Sequence, residues 1–348
     1  MRQARIAMPA LAASLITFAA TGALAQDALD PATIDLQEEF DPIGSEVHSL
    51  ERDGRTSYYI DEGTGERAVV FIGGMGTSLE AFQLTEFART SREALGLRFV
   101  SVERNGFGES EFDPELGYSD YNAEVLAVLD ELGIEDFSIL AISGGGAYAA
   151  QLAAEVPERV TGLHAAAAVS STLESRSEPE CSMSMEERNE DNLRWTRAPK
   201  DWWGVPGSPV LAVPGWQTRA YADATRSFYV GGHMGDPAAL SHEQALPCAD
   251  DAVVDLSDAP FPTFLYWGEE DSSVPVPVME EWQAAVPNVE KATVYPGEGH
   301  TVQYRHWDQI LVDLAGLSDN TVICRDGETV LVPNEEAGDA PLGLCAWH

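Results

Sequence analysis

A serine stands among small residues in Ala141-Ile142-Ser143-Gly144-Gly145-Gly146, after an apolar run from Phe137 to Ile142 and before a helical stretch through Gln151 to Ala154. The order is strand, tight turn, helix. Such a turn is too sharp for a bulky side chain two positions before or after the serine, and Ala141 and Gly145 occupy those two positions. It lifts the Ser143 hydroxyl above the sheet and leaves the amide of Gly144 at a helix N-terminus, where it can face an oxyanion. A second glycine-rich turn, Gly73-Gly74-Met75-Gly76, follows the apolar run Ala68 to Ile72 and offers the amide of Met75 as a second donor. A raised hydroxyl beside two amides is equipped to attack a carbonyl and to hold the tetrahedral oxyanion that results.

The elements that must position these groups alternate. Ser57 to Ile60, Ala68 to Ile72, Arg98 to Val102, Phe137 to Ile142, Thr263 to Trp267 and Ala292 to Tyr295 have the texture of strands. Helical stretches are expected near Leu79 to Ser91, from Tyr121 to Leu132 (opened by Ser119-Asp120 and closed by Gly133), and from about Val302 to Leu314. The helix after Ser143 is expected to carry on through Pro157-Glu158-Arg159-Val160. This alternation predicts an α/β fold with a mostly parallel central sheet and helices on both faces. Residues 172 to 258 interrupt the pattern: an acidic stretch (Glu178, Glu186, Glu190) gives way to tryptophan and proline (Trp202, Trp203, Pro206). An insertion of that kind would form a cap over the strand ends, its aromatics either lining a ligand site or forming the cap's own small core.

In this order the motifs resemble the α/β-hydrolase fold family, in the branch with a short cap and lipase, esterase or lactonase-like members. The resemblance covers about residues 55 to 316. The turn at 73 to 76 is similar to the family's oxyanion loop, with Gly73 where histidine or asparagine is often found. Glu103-Arg104-Asn105-Gly106-Phe107-Gly108-Glu109-Ser110 resembles the structural D-x-x-G-x-G-x-S turn with glutamate in place of aspartate, and Ser143 to Gly146 resembles the nucleophile elbow. The resemblance implies a core of residues 45–171 and 259–317, the cap insertion at 172–258, and a C-terminal appendage at 318–348. It also implies the order serine, acid, histidine. Trp267-Gly268-Glu269-Glu270-Asp271 then supplies the acid, best Asp271, with Glu269 and Glu270 as neighbouring alternatives. Pro296-Gly297-Glu298-Gly299-His300 supplies the base, His300, while His48, His164, His233, His242, His306 and His348 are taken as structural or solvated.

What the resemblance implies is a serine hydrolase in which His300 takes the proton of Ser143, Asp271 holds the imidazole, and Met75 and Gly144 bind the oxyanion. The expected substrate is a small-molecule carboxylic ester or lactone. The alternatives are an aminopeptidase of the proline iminopeptidase type, with Glu186, Glu187 or Glu190 holding an ammonium, a cofactor-free haloperoxidase or perhydrolase, a carbon–carbon bond hydrolase, and a noncatalytic binding protein on the same fold. No phosphate loop or dinucleotide fingerprint occurs, so no cofactor is implied, and no C-x-x-C or H-E-x-x-H motif signals a metal.

Composition limits the partners. Lys+Arg total 20 against 58 Asp+Glu in 348 residues, and a formal charge of −38 repels nucleic acid and anionic membrane surfaces. Met1 to Arg5 is basic, Ile6 to Ala23 is apolar, and Ala23-Leu24-Ala25 has the form of a cleavage site. Residues 1–25 are therefore expected to be a signal peptide, followed by a polar leader at 26–44. The protein is expected in the periplasm or outside the cell, with no membrane span in its mature form; the oligomeric state is left open. Export favours pairing of the four cysteines, and local pairing joins Cys181 to Cys248 and Cys324 to Cys345. The second bridge would close an appendage built on a hairpin turn at Asp326-Gly327.

Overall fold

The computed structural model describes residues 29–36, 45–52, 54–170, 181–197, 236–249, 252–345 and 348. Eight strands form the central sheet: β1 (Val47–Arg52), β2 (Arg55–Glu62), β3 (Arg67–Ile72), β4 (Leu97–Val102), β5 (Phe137–Ile142), β6 (Val160–Ala166), β7 (Thr263–Gly268) and β8 (Val289–Tyr295). Their spatial order is β1-β2-β4-β3-β5-β6-β7-β8. Pairing is antiparallel from β1 to β2 and from β2 to β4, and parallel from there to β8.

The central strands carry apolar residues on both faces because both faces are covered. In β3, Val70 and Ile72 enter one core cluster while Val69 and Phe71 enter the other. The first cluster is closed by α2 (Tyr118–Glu131), α3 (Gly145–Glu155) and α6 (Val276–Ala285), through residues such as Val125, Leu152 and Trp282. The second is closed by α7 (Val302–Arg305) and α8 (Trp307–Leu314), through Trp307, Ile310 and Leu311, with the short α1 (Arg89–Ala94) alongside. Helix α2 starts where Asp120 accepts the amide of Gly117, and it ends at Gly133, whose φ of 68° suits the left-handed residue beyond a helix C-terminus.

Two elements differ from expectation. The stretch from Leu79 is a 3-10 run, Leu79–Ala88, before α1 begins. There the Thr85 hydroxyl donates to the Phe82 carbonyl, a local bond that suits the tighter winding. Helix α3 stops at Glu155, and Val160 opens β6, which fills the sheet between β5 and β7 rather than extending the helix.

Of the expected cap, α4 (Met185–Arg197) and α5 (Ala238–Ala245) are described. The Asn192 amide nitrogen donates to Ser241 Oγ at 3.0 Å and Gln244 Oε1 at 2.8 Å, joining the two helices. The Cys181–Cys248 disulfide ties the segment before α4 to the end of α5. Glu187 and Ser184 cap α4 reciprocally, the carboxylate accepting the Ser184 amide and the Ser184 hydroxyl oxygen accepting the Glu187 amide. The tryptophan- and proline-rich stretch, His233, Trp347 and the expected signal peptide lie outside the described residues. Among the described residues no helix is long and apolar enough to cross a membrane.

The chain ends in the hairpin β9 (Asn320–Arg325) and β10 (Glu328–Pro333), turning at Asp326-Gly327 with φ of 55° and 85°. Cys324–Cys345 closes it. Val322 and Leu344 enter the core cluster beneath α8, and Leu29, Ile34 and Leu36 from the N-terminal segment pack against that same cluster.

Candidate active site

The parallel strands deliver their C-terminal ends to one edge of the sheet, and the candidate side chains lie in the loops there. Ser143 follows β5 with a φ of 50°, a left-handed conformation that costs a non-glycine residue roughly 1–2 kcal/mol. Neighbouring backbone holds it: the Ser143 amide donates to the Ala166 carbonyl at 3.3 Å, and the Ser143 carbonyl accepts Gly146 at 3.1 Å and Val169 at 2.9 Å. The strain points Oγ away from the sheet.

The small residues around it have distinct duties. Ala141 is fully buried in β5. A Cβ at Gly145 would lie 2.5 Å from the Ile72 carbonyl oxygen and 2.6 Å from that of Gly73. A Cβ at Gly144 would lie 2.6 Å from Met75 Cβ and 2.9 Å from Met75 N. The two proposed amide donors therefore come together because residue 144 is glycine.

The His300 ring lies between Ser143 and Asp271. Its Nε2 lies 3.0 Å from Ser143 Oγ and its Nδ1 lies 2.9 Å from Asp271 Oδ2. Asp271 is buried, and its other oxygen accepts the amides of Ser273 at 2.8 Å and Val274 at 2.9 Å. Those bonds fix the plane of the carboxyl group. Gly268 lets the histidine loop cross the acid loop, since a Cβ there would lie 2.4 Å from the carbonyl oxygens of Glu298 and Gly299. The loops are joined where the Glu270 amide donates to Glu298 O at 2.8 Å and where Glu269 accepts the Gly297 amide at 3.1 Å. Asp271, rather than either neighbouring glutamate, faces the imidazole.

The described remaining histidines stand elsewhere. His164 is buried, donor-acceptor paired with the Tyr266 hydroxyl at 3.0 Å, and burial pushes its pKa down to about 3. His306 lies at the junction of α7 and α8, and burial likewise lowers it to about 3. His242 contacts the Leu116 carbonyl, and His348 that of Leu342.

Sequence reasoning missed Arg104 and Glu243. Both are buried, and they form an ion pair at 2.5 Å between the turn after β4 and helix α5. Arg104 Nη2 donates to Gly74 O at 2.6 Å and Thr77 O at 2.5 Å, while Glu243 Oε2 accepts the Gly76 amide at 2.6 Å. Burial alone would lower the Arg104 pKa, but Glu243 together with Tyr148, Tyr121 and Glu103 outweighs it, so the net direction is upward and the guanidinium stays charged. Next to it, Glu103 accepts the amides of Leu79 and Arg104 at 3.1 Å, and burial pushes its carboxyl up to about 7. The one sequence signal for this cluster was the adjacent Glu103-Arg104 at the head of the glycine-containing turn motif.

Comparison with known proteins gives a consistent picture. Residues 69–314 match the family described as Alpha/beta hydrolase family. The chain is 33% identical over 125 residues to an uncharacterized hydrolase, YcgS, of Bacillus subtilis (strain 168), a match covering 35% of this chain and 42% of the relative. It is 36% identical over 105 residues to a 2-hydroxy-6-oxononadienedioate/2-hydroxy-6-oxononatrienedioate hydrolase of Burkholderia vietnamiensis (strain G4 / LMG 22486), covering 30% and 36%. The chain thus spans less than half the length of these curated relatives. A hydrolase from Pseudomonas aeruginosa PA01 shares the fold with a TM-score of 0.59 at 19% identity, over 78% of this chain and 98% of that one.

Proposed function

Because the chain belongs to the alpha/beta hydrolase family, we propose that it works as an exported serine hydrolase that cleaves a small carboxylic ester or lactone through Ser143, His300 and Asp271. The observation that carries this reading is the position of the His300 ring, 3.0 Å from the serine hydroxyl on one side and 2.9 Å from the aspartate on the other.

In the proposed reaction the Nδ1–H of His300 donates to Asp271, which leaves the Nε2 lone pair to accept the Ser143 proton as Oγ attacks the carbonyl. The oxyanion is held by the amides of Met75 and Gly144. The tetrahedral species collapses with loss of the alkoxide, which takes the proton from Nε2. Water then enters, gives a proton to Nε2, attacks the acyl-enzyme carbonyl, and releases the acid as Ser143 recovers its proton. His300 keeps 22% of its side chain exposed, enough for leaving group and water to reach Nε2. Export is supported by the pattern of residues 1–25 and by two disulfides in a chain with no other cysteine.

A carbon–carbon bond hydrolase is a second reading, favoured by the 36% identity to the Burkholderia enzyme. It would use the same three side chains. The test is labelling of the purified mature protein with a fluorophosphonate, beside Ser143→Ala, followed by p-nitrophenyl esters of increasing chain length and a 2-hydroxy-6-oxodienedioate. Labelling lost in the variant, with turnover of an ester, supports the main reading, and turnover of the dienedioate alone supports the second. An unlabelled wild type with its disulfides intact overturns both.

A further inference from the structure

Polar groups from two other segments converge on the turn that carries Met75. Arg104 donates to the carbonyls on both sides of the turn, at Gly74 and Thr77, and also to Thr77 Oγ1 at 3.0 Å. Glu243 accepts the amide of Gly76, the residue directly after Met75. The two side chains then pair with each other. Apolar contact follows the same route, since Met75 packs against the cluster of Phe107, Ala239 and Leu240. Ala239, Leu240 and Glu243 all belong to α5, which the disulfide at Cys248 ties to the segment before α4.

An oxyanion donor acts through its direction, and an error of a fraction of an ångström weakens it. Gly76, with φ of 71°, gives the turn a backbone that is not held by a side chain of its own. The amide of Met75 is consequently aimed by whatever fixes residues 74, 76 and 77. We propose that Arg104 and Glu243 are positioning residues that aim the Met75 amide at the oxyanion, so that acyl transfer requires helix α5 to be docked on the turn. This rests on the hydrolase reading. Neither side chain reaches the reacting atoms. Their effect would appear where negative charge develops, in the transition state, and not in the binding of neutral substrate.

The test compares wild type with Glu243→Gln and Glu243→Met on the p-nitrophenyl ester that wild type turns over best, with kcat expressed per site titrated to completion by a fluorophosphonate. Titration removes any misfolded fraction from the comparison. Gln keeps an oxygen for the Gly76 amide, and Met keeps none. The expected result is a fall in kcat of about 10-fold for Gln and about 100-fold for Met, with KM within a factor of about three; deletion of a whole oxyanion donor sets the scale at about 10²–10³. Inhibition by a phenylboronic acid, whose adduct with Ser143 carries the negative oxygen, should weaken by the same factors. Unchanged kcat per titrated site, with only the number of sites or the melting temperature reduced, would overturn the proposal and leave the pair a structural one. A wild type that is neither labelled nor active would overturn the hydrolase reading, and this inference with it.

Discussion

Asp271 turns one carboxylate oxygen to His300 Nδ1 at 2.9 Å and gives the other to the amides of Ser273 and Val274. The two backbone donors dictate which end of an asparagine would face the ring. In Asp271→Asn the amide oxygen stays with Ser273 and Val274, and the NH2 group points at Nδ1, forcing the proton onto Nε2. That tautomer cannot accept from Ser143. A fall in kcat of roughly 10³–10⁴-fold with little change in KM is expected. Glu269→Gln and Glu270→Gln, whose carboxylates are exposed, should stay within a few-fold of wild type. Steady-state kinetics on the three variants separates the assignments, and equal losses in all of them would remove Asp271 from its role.

Gly145→Ala tests the elbow. The added methyl would meet the carbonyl oxygens of Ile72 and Gly73 at 2.5 and 2.6 Å, backbone atoms that cannot rotate away. Displacing strand or helix to make room costs about 1–3 kcal/mol and moves Ser143 with it. Gly117→Ala is the control, because its Cβ would meet nothing within 4 Å. Melting temperature and ester turnover should both fall for Gly145→Ala and both hold for Gly117→Ala.

The contrast between these glycines shows which features were legible in the sequence. Gly144 and Gly145 answer to steric demands a few residues long, so the elbow could be read directly from its string. Asp271 and His300 were singled out through the family resemblance, which expects the acid and then the histidine in turns that follow late strands. Strand β6 was not legible, for Val160-Thr-Gly-Leu-His-Ala-Ala166 carries few of the large apolar and aromatic side chains of its neighbours, and its place in the sheet comes from pairing with β5 and β7. The Arg104–Glu243 pair is separated by 139 residues. Among 58 acidic residues nothing marks Glu243 as buried until α5 is packed against the turn.

Glu103 should make stability depend on pH. Burial raises its carboxyl to about 7 from an ordinary 4.5, despite the opposing amides of Leu79 and Arg104 and the Arg104 guanidinium. With the folded value raised, its contribution is complete below about 4.5 and is lost as pH rises through about 7. Glu103→Gln removes the titration while leaving other acid repulsion in place. The stability of wild type relative to this variant, from urea unfolding at pH 4.5, 6 and 8, should fall steadily as pH increases. A constant difference would mean that the carboxyl ionises as readily in the folded protein as in the unfolded chain.

His306 works in the opposite sense. Its ring stacks on Tyr295 with centroids 3.6 Å apart, its Nδ1 is buried with no hydrogen-bond partner among the described residues, and burial, assisted by Arg305 and His348, lowers its pKa from 6.5 to about 3. Below about pH 6.5 the unfolded chain takes up a proton at this position that the folded protein refuses until about pH 3, so stability is lost as pH falls through that window. His306→Phe keeps an aromatic face on Tyr295, removes the unpartnered nitrogen and abolishes the proton uptake. His164, with the same depressed pKa, is present in both proteins and cancels in the comparison. The variant should therefore be more stable than wild type, and by a wider margin at pH 5 than at pH 8. Thermal unfolding at the two pH values checks this: an equal margin at both would show that folded His306 accepts a proton near its ordinary pKa.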